Sequence, residues 1–236
     1  AYNAIFKYPK DLINSYTVSI SITVIGALLG LFLMAMTAYV LQRKDFKYRN
    51  TISFFFYFTT LFSGGLVPFY ILMVRYLNLK DSLLSLILPG LMSAFYILLL
   101  RNFMKTIPDS ISESAKIDRA GDFTIFLKLY LPLSKPGLTT VGLFLALGYW
   151  NDWFLASLFI NSRAKFPLQF LLYQYLTNFE VMKSLANTGL ASSSITIPTE
   201  SLKMATAVIA TGPIVALYPF AQKYFIKGLT LGAVKG

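Results

Sequence analysis

Residues 12–42 run for 31 positions without a charged side chain. A helix needs only about 20 apolar residues to cross the roughly 30 Å hydrocarbon core of a bilayer. In lipid every backbone N–H and C=O must find its partner within the segment, so a run of this kind is a helix. The signal recurs. Uncharged runs follow at 50–74, 82–100 and 204–222, and the run at 136–162 is broken by Asp152 alone. The expected spans are 14–41, 51–74, 83–104, 136–160 and 203–223, giving an all-α, polytopic transmembrane helical bundle. Residues 163–203 are too polar and interrupted to cross.

Composition agrees. The chain is 56% hydrophobic and 13% charged, and its mean hydropathy is +0.62, beyond what a soluble core requires. It contains no cysteine and no histidine, which removes disulfides, thiol chemistry, the commonest transition-metal ligands and most acid–base candidates near neutral pH. No G-x-x-x-x-G-K-[ST] phosphate loop occurs, so the chain has no means of holding ATP in that manner. The net charge of +11 fits loops facing anionic lipid better than it fits nucleic acid in a chain this apolar.

Within the spans, small residues mark special points. Gly26 and Gly30 stand four apart, as a close helix contact would need, and equally as ordinary small residues in a packed bundle would. Gly64-Gly65 and Pro68 predict a kink or an unwound end. Pro89 lies early in the third span, and Gly212-Pro213 and Pro219 bend the last. The loops 43–49 and 101–135 and the tail from 223 carry 13 Lys and Arg, against 8 on the opposite side. By the positive-inside rule that first set is cytoplasmic, which puts the C-terminus inside. Five spans ending inside begin outside, and Ala1 is preceded by no initiator Met or signal peptide. One further upstream span is therefore expected in the complete subunit.

Between two membrane-length runs lies 108–136, PDSISESAKIDRAGDFTIFLKLYLPLSKP, which holds 8 of the 31 charged residues. Ser110 and Glu113 have the spacing of a capping box, and Gly121 reads as the stop of that first helix. Phe123, Phe126, Leu127, Tyr130 and Leu131 then recur at helical spacing, up to Pro132, which reads as the next stop. Two short helices outside the bilayer core are expected over the interruption 105–135. The other reading is an amphipathic helix pair resting on the membrane surface.

Glu113-Ser114-Ala115, Asp118, Ala120, Gly121, Phe126, Leu131-Pro132 and Pro136 resemble the EAA loop of ABC-importer permeases, in the wording of the carbohydrate-uptake, maltose-permease-like branch. PTESLKMATAVIATGPIVALYPFAQKYFIKGLTLGAVKG at 198–236 resembles the last helix and tail of sugar-importer permeases, so the likeness covers essentially the whole chain. It implies a type I importer permease of the bacterial cytoplasmic membrane, not itself an enzyme. It implies that 108–136 is a coupling helix seated in a cleft of a separate ATPase. Arg119 stands where the family usually has Gly, so its side chain either alters the turn or adds a contact. The tail residues Gly228, Gly232, Lys235 and Gly236 would reach the ATPase, although a basic tail on anionic lipid is equally good physics. The implied partners are a second, homologous permease, an ATPase homodimer carrying the ATP and Mg, an extracytoplasmic solute-binding protein and an oligosaccharide. The last helix, GLVPFY and PLQFLLYQYL resemble the subgroup for complex or acidic oligosaccharides such as alginate or pectin fragments.

Tyr149, Trp150, Asn151, Asp152 and Trp153 form the candidate route. At 1.5 Å per residue from Pro136, Asp152 falls about 24 Å along the span. A carboxylate there costs about 2.5–3.5 kcal/mol at a helix centre and should face protein or water. Aromatic rings beside hydrogen-bonding groups suit a sugar; an interfacial aromatic belt is the other reading. Two other function classes fare worse. A secondary transporter needs intramembrane ionisable groups and internal repeats, and only Asp152 is available. A membrane-embedded enzyme lacks clustered carboxylates, His and Cys.

Overall fold

The computed structural model describes residues 9–187, 204–212 and 215, and every element among them is a helix. The sequence run at 12–42 forms a single helix, α1 (Pro9–Gln42). Its 34 residues extend about 51 Å at 1.5 Å each, so α1 passes the whole depth of the bundle. It is also the central strut, packing chiefly against α5 (Ala94–Met104) and α8 (Lys135–Asn151).

Small residues on α1 set those contacts. The Tyr149 ring of α8 lies so close to Gly26 that a Cβ there would meet its Cζ at 2.6 Å. Gly90 leaves the same gap on the other side of the ring, where a Cβ would be 2.6 Å from the Tyr149 hydroxyl. That hydroxyl donates to the Ile87 carbonyl at 2.8 Å. Gly30 faces the Leu91 backbone, 3.4 Å from where its Cβ would stand. Gly26 thus serves close approach, whereas a Cβ at Gly30 would make only ordinary van der Waals contact.

The next two runs are broken. α2 (Arg49–Leu61) and α3 (Leu66–Tyr76) meet at 112°, with the break at 62–65 and Gly65 at φ +86°. The Gly-Gly pair breaks the helix as expected, while Pro68 sits in the first turn of α3, where its missing N–H costs little. α4 (Leu84–Gly90) and α5 meet at 46° beyond Pro89-Gly90. Of the described helices, only α1 is long and apolar enough to cross a membrane unbroken, and each bent pair qualifies if taken as one span.

The interruption folds differently from its expected punctuation. α6 (Asp109–Ile117) starts one residue earlier than the Ser110 cap, with Pro108 at the N-cap and no side-chain cap bond. The Ser110–Glu113 capping box does not form, because Ser110 is already inside the first turn. Nor does Gly121 stop α6. Arg119 does, at φ +57°, with its N–H on the Lys116 carbonyl at 3.0 Å and the Ala120 N–H on the Ala115 carbonyl at 2.9 Å. This is a Schellman closure with Arg where Gly is usual. Gly121 is extended and begins α7 (122–133).

Pro132 does not end α7. The helix widens to a π turn at Phe126–Tyr130, where the Leu131 N–H reaches the Phe126 carbonyl. That extra residue makes room for the proline ring, and helical structure resumes at Lys135 after Ser134. The buried face of α7 is Ile125, Phe126 and Tyr130, whereas Phe123 and Leu127 are exposed. The π turn shifts the helical register, which strict 3.6-residue spacing from Phe123 could not anticipate.

Two core clusters result. One gathers Met34, Ala38 and Tyr39 of α1 with Ile97, Leu100, Phe126 and Tyr130. The other gathers Leu12 and Ile22 with Tyr149, Trp150, Ala156 of α9 (Phe154–Phe159), Ile160 and the start of α10 (Leu168–Asn187). α2 buries no residue in either.

Candidate coupling surface and translocation cavity

α6 is held to the end of α1 by charge. Arg43 forks onto Asp45, Nε to Oδ1 at 2.9 Å and a terminal nitrogen to Oδ2 at 2.5 Å, while its other terminal nitrogen lies 2.7 Å from Asp122 of α7. Asp45 also accepts from Lys116 at 2.9 Å, and Lys44 reaches Asp109 at 2.5 Å. Both ends of α6 and the start of α7 are therefore tied to the loop at 43–45. The Arg43 hydrogen bond, then that of Lys116, holds the Asp45 carboxyl well below the usual carboxylate range. Each exposed pair contributes only about 0–1 kcal/mol; the shared Asp45 makes them a lattice.

The lattice fixes which side of α6 is free. Glu113, Ser114, Asp118, Arg119 and Gly121 are exposed, while Ala115 and Ala120 turn towards the core. Leu131 is half-buried against that core and Pro132 is exposed. Two apolar side chains stand among these charges, Ile117 at 81% exposure and Phe123 at 57%. Sequence reading missed Ile117 and grouped Phe123 on one apolar face with Phe126 and Tyr130, which are buried. The available signal was an isoleucine between Lys116 and Asp118 on an otherwise polar helix.

The side chains at 149–153 do not share one face, although Tyr149, Asn151 and Asp152 line one cavity. Tyr149 is locked between Gly26 and Gly90. Trp150 is 6% exposed and donates its indole N–H to the Ala210 carbonyl at 3.1 Å, tying α8 to the helical residues 204–212. Trp153 faces away, stacked on Tyr173 at 4.3 Å. Asn151 and Asp152 sit where α8 ends. Asn151 donates to the Leu147 carbonyl at 2.9 Å, and an Asp152 oxygen accepts the Leu155 N–H at 3.0 Å, starting α9. Asp152 is thus at a helix break, where its carboxylate has a backbone donor.

Beside that break opens a cavity of ≈ 360 Å³, lined by Ser93, Tyr96, Phe144, Tyr149, Asn151 and Asp152 among others. The Tyr96 and Phe144 rings are parallel within 7°. Ser93, Tyr96 and Phe144 escaped sequence reading, since the opening comes from the 46° bend at 91–93. Among the described residues no group of acidic side chains could hold a metal ion. The tail positions Gly228, Gly232, Lys235 and Gly236 lie outside the described residues.

Comparison with known proteins decides the family. Residues 43–231 match the family described as the binding-protein-dependent transport system inner membrane component. The chain belongs to that family. It is a permease subunit of an ABC importer, an inner-membrane transport component and not an enzyme. It is 44% identical, over all of its length and 81% of the relative's, to the polygalacturonan/rhamnogalacturonan transport system permease protein YtcP of Bacillus subtilis. It is 42% identical to protein LplC of the same organism, over all of its length and 78% of the relative's. Its fold matches a chain from the crystal structure of a bacterial ABC transporter that imports the acidic polysaccharide alginate. There the TM-score is 0.80 and the identity 31%, covering 94% of this permease and 78% of that chain. The family works in a complex with a binding protein and an ATPase, and the permease supplies the membrane part.

Proposed function

We propose that this permease translocates acidic oligosaccharides, such as fragments of pectin or alginate, through a route that passes the cavity at Asn151 and Asp152. The observation that carries the reading is the cavity itself, where parallel rings stand beside a hydroxyl, an amide and a carboxylate. Sugars present C–H faces to rings and hydroxyls to polar groups. Its volume lies in the range of about 300–1,000 Å³ usual for small-molecule sites. The acidic class is supported by the relatives, which are named for polygalacturonan, rhamnogalacturonan and alginate. The exposed surface of α6, with Glu113, Ser114, Asp118 and Arg119 around Ile117 and Phe123, is the dock for an ATPase dimer that holds ATP and Mg. Gly121 and Pro132 are exposed beside it, and Ala115, Ala120 and Leu131 support it from behind. The tail at Gly228, Gly232, Lys235 and Gly236 adds a second contact with that dimer. A second, homologous permease completes the membrane pore, an extracytoplasmic binding protein delivers the sugar, and the C-terminus is cytoplasmic. The excess of Lys and Arg on the coupling side supports this orientation.

Reconstitution of the complete transporter in vesicles tests it. ATP hydrolysis should rise when the binding protein is loaded with oligogalacturonate and should stay near its basal rate with a neutral maltooligosaccharide. Equal stimulation by both sugars removes the acidic class. Stimulation by neither, with ATPase docking intact, removes the carbohydrate reading.

A further inference from the structure

Three helix ends meet beside the coupling lattice: the C-terminus of α1, the N-terminus of α2 and the C-terminus of α5. Arg49 is the first residue of α2. Arg101 and Lys105 are four apart at the end of α5, on one face of the helix. Arg101 is fixed in place, its Nε donating to the Leu41 carbonyl at 3.0 Å at the end of α1. The three cations stand at these meeting helix ends. The Arg101 charge, then burial and the Arg49 charge, hold the Lys105 ammonium below its ordinary pKa. Among the described residues none of the three forms an ion pair with a carboxylate, although the neighbouring Arg43, Lys44 and Lys116 all do. Helix polarity sharpens the contrast. Cations at the end of α5 suit its negative pole, but Arg49 stands at the positive pole of α2. Like charges gathered there are unfavourable unless an anion sits between them.

We infer that Arg49, Arg101 and Lys105 form a binding site for the phosphate headgroup of an anionic phospholipid, seated between α2 and α5. Several observations favour lipid over a soluble anion. α2 buries none of its side chains and exposes Phe54, Phe55, Tyr57 and Phe58 along its length. A phosphate held at its first residue would therefore have its acyl chains beside an apolar, aromatic helix. Basic pockets between membrane helices on the cytoplasmic side suit anionic headgroups, each nearby Lys or Arg contributing about 1 kcal/mol. Because Arg49 begins α2 and Arg101 anchors the end of α1, a bound headgroup would hold together the helix ends from which the coupling lattice starts. The inference rests on the chain lying in a membrane, not on which sugar it carries.

The test uses the assembled transporter, delipidated in detergent and titrated with phosphatidylglycerol or phosphatidylcholine, with thermal stabilisation as the readout. Phosphatidylglycerol should bind the wild type with clear preference. The Arg49→Gln/Lys105→Gln variant should lose about thirtyfold in apparent affinity, since two cations are removed. Lys47→Gln, an exposed cation of the same loop outside the cluster, should change it less than twofold. Arg101 is kept in these variants because it caps α1. Should the double variant fail to assemble, Lys105→Gln alone, at an exposed position, should lower affinity about fivefold. Equal phosphatidylglycerol affinity in wild type and variants overturns the site, as does an equal loss in Lys47→Gln. Full competition by inorganic phosphate assigns the cluster to a soluble anion and overturns the lipid. Loss of the ATPase from the variant with lipid affinity unchanged assigns it to a protein partner and does the same.

Discussion

Arg119 shows how one residue can serve two ends. Its φ of +57° is a conformation that costs a side-chain-bearing residue about 1 kcal/mol, and glycine almost nothing. Arg119→Gly should therefore leave the folded permease as stable or up to about 1 kcal/mol more so, part of the gain being offset by glycine's unfolded-state entropy. The same change removes an exposed cation from the proposed dock. ATPase affinity should then fall, and more at low salt than at high salt, where the contact is already screened. Thermal unfolding and ATPase titration at two salt concentrations separate the effects; greater stability with undiminished affinity leaves Arg119 no part in docking. Asn151 and Asp152 allow a similar separation. Asp152→Asn keeps an oxygen for the Leu155 N–H but removes the charge, so folding should hold. A fall in vesicle uptake with normal assembly would place the charge in the route. Trp150→Ala is a different matter, since truncating a buried Trp costs about 3–5 kcal/mol. It should appear as lost assembly rather than as a selective loss of uptake.

At the scale of elements, Tyr149 joins three helices through two glycines and a carbonyl. Gly90→Ala puts a methyl against the hydroxyl and Gly26→Ala puts one against the ring. Each should destabilise the permease by about 1–3 kcal/mol. Tyr149→Phe should relieve only the hydroxyl part of the Gly90→Ala clash, since Cζ remains 2.7 Å away, and none of the Gly26→Ala clash, whose nearest atoms are all ring carbons. A thermal-shift double-mutant cycle reads the difference directly. The sequence spoke clearly wherever a single physical rule dominated. The uncharged run of α1, the Gly64-Gly65 break and the EAA-like segment were all legible. It failed where neighbouring rules competed. Ser110 had the spacing of a cap, but Pro108 is pre-set for the N-cap position and starts α6 earlier. Pro132 looked like a stop, but a π turn absorbs its ring. The aromatic cluster at 149–153 looked like one surface, but helical geometry sends Trp150 inward and Trp153 to Tyr173. None of those partners is near in sequence, so only the packed bundle reveals them.

Across the whole molecule, α1 is a rod fastened at both ends. Near its start Asp11 pairs with Arg163 at 2.9 Å, Asn14 donates to the Ala164 carbonyl, and Ser19 accepts the Leu168 N–H at 2.8 Å. That same loop is clamped by Asp81, which accepts from the Ser162 hydroxyl at 2.5 Å, from two backbone N–H groups and from Lys165. The other end carries the Arg43–Asp45–Lys116 lattice to α6. Both acids are held well below the usual carboxylate range, Asp81 by the Ser162 hydroxyl first and Asp45 by Arg43 first. A depressed carboxyl stabilises the fold above its unfolded pKa of about 4, and that contribution is lost as pH falls through the folded value. Asp81→Asn and Asp45→Asn should therefore each flatten acid unfolding below about pH 4. They should differ in function. Asp81 lies far from α6, so Asp81→Asn should leave ATPase docking and its stimulation by the loaded binding protein unchanged. Asp45→Asn cuts the link between α6 and α1, so the ATPase should still bind the exposed surface of α6 while its stimulation by sugar falls several-fold. Amide exchange over 109–117 should rise in parallel, since α6 loses the partner shared by Arg43 and Lys116. Full stimulation in Asp45→Asn, with faster exchange, would mean that movement of α6 reaches the rest of the bundle through α7 and α8 instead.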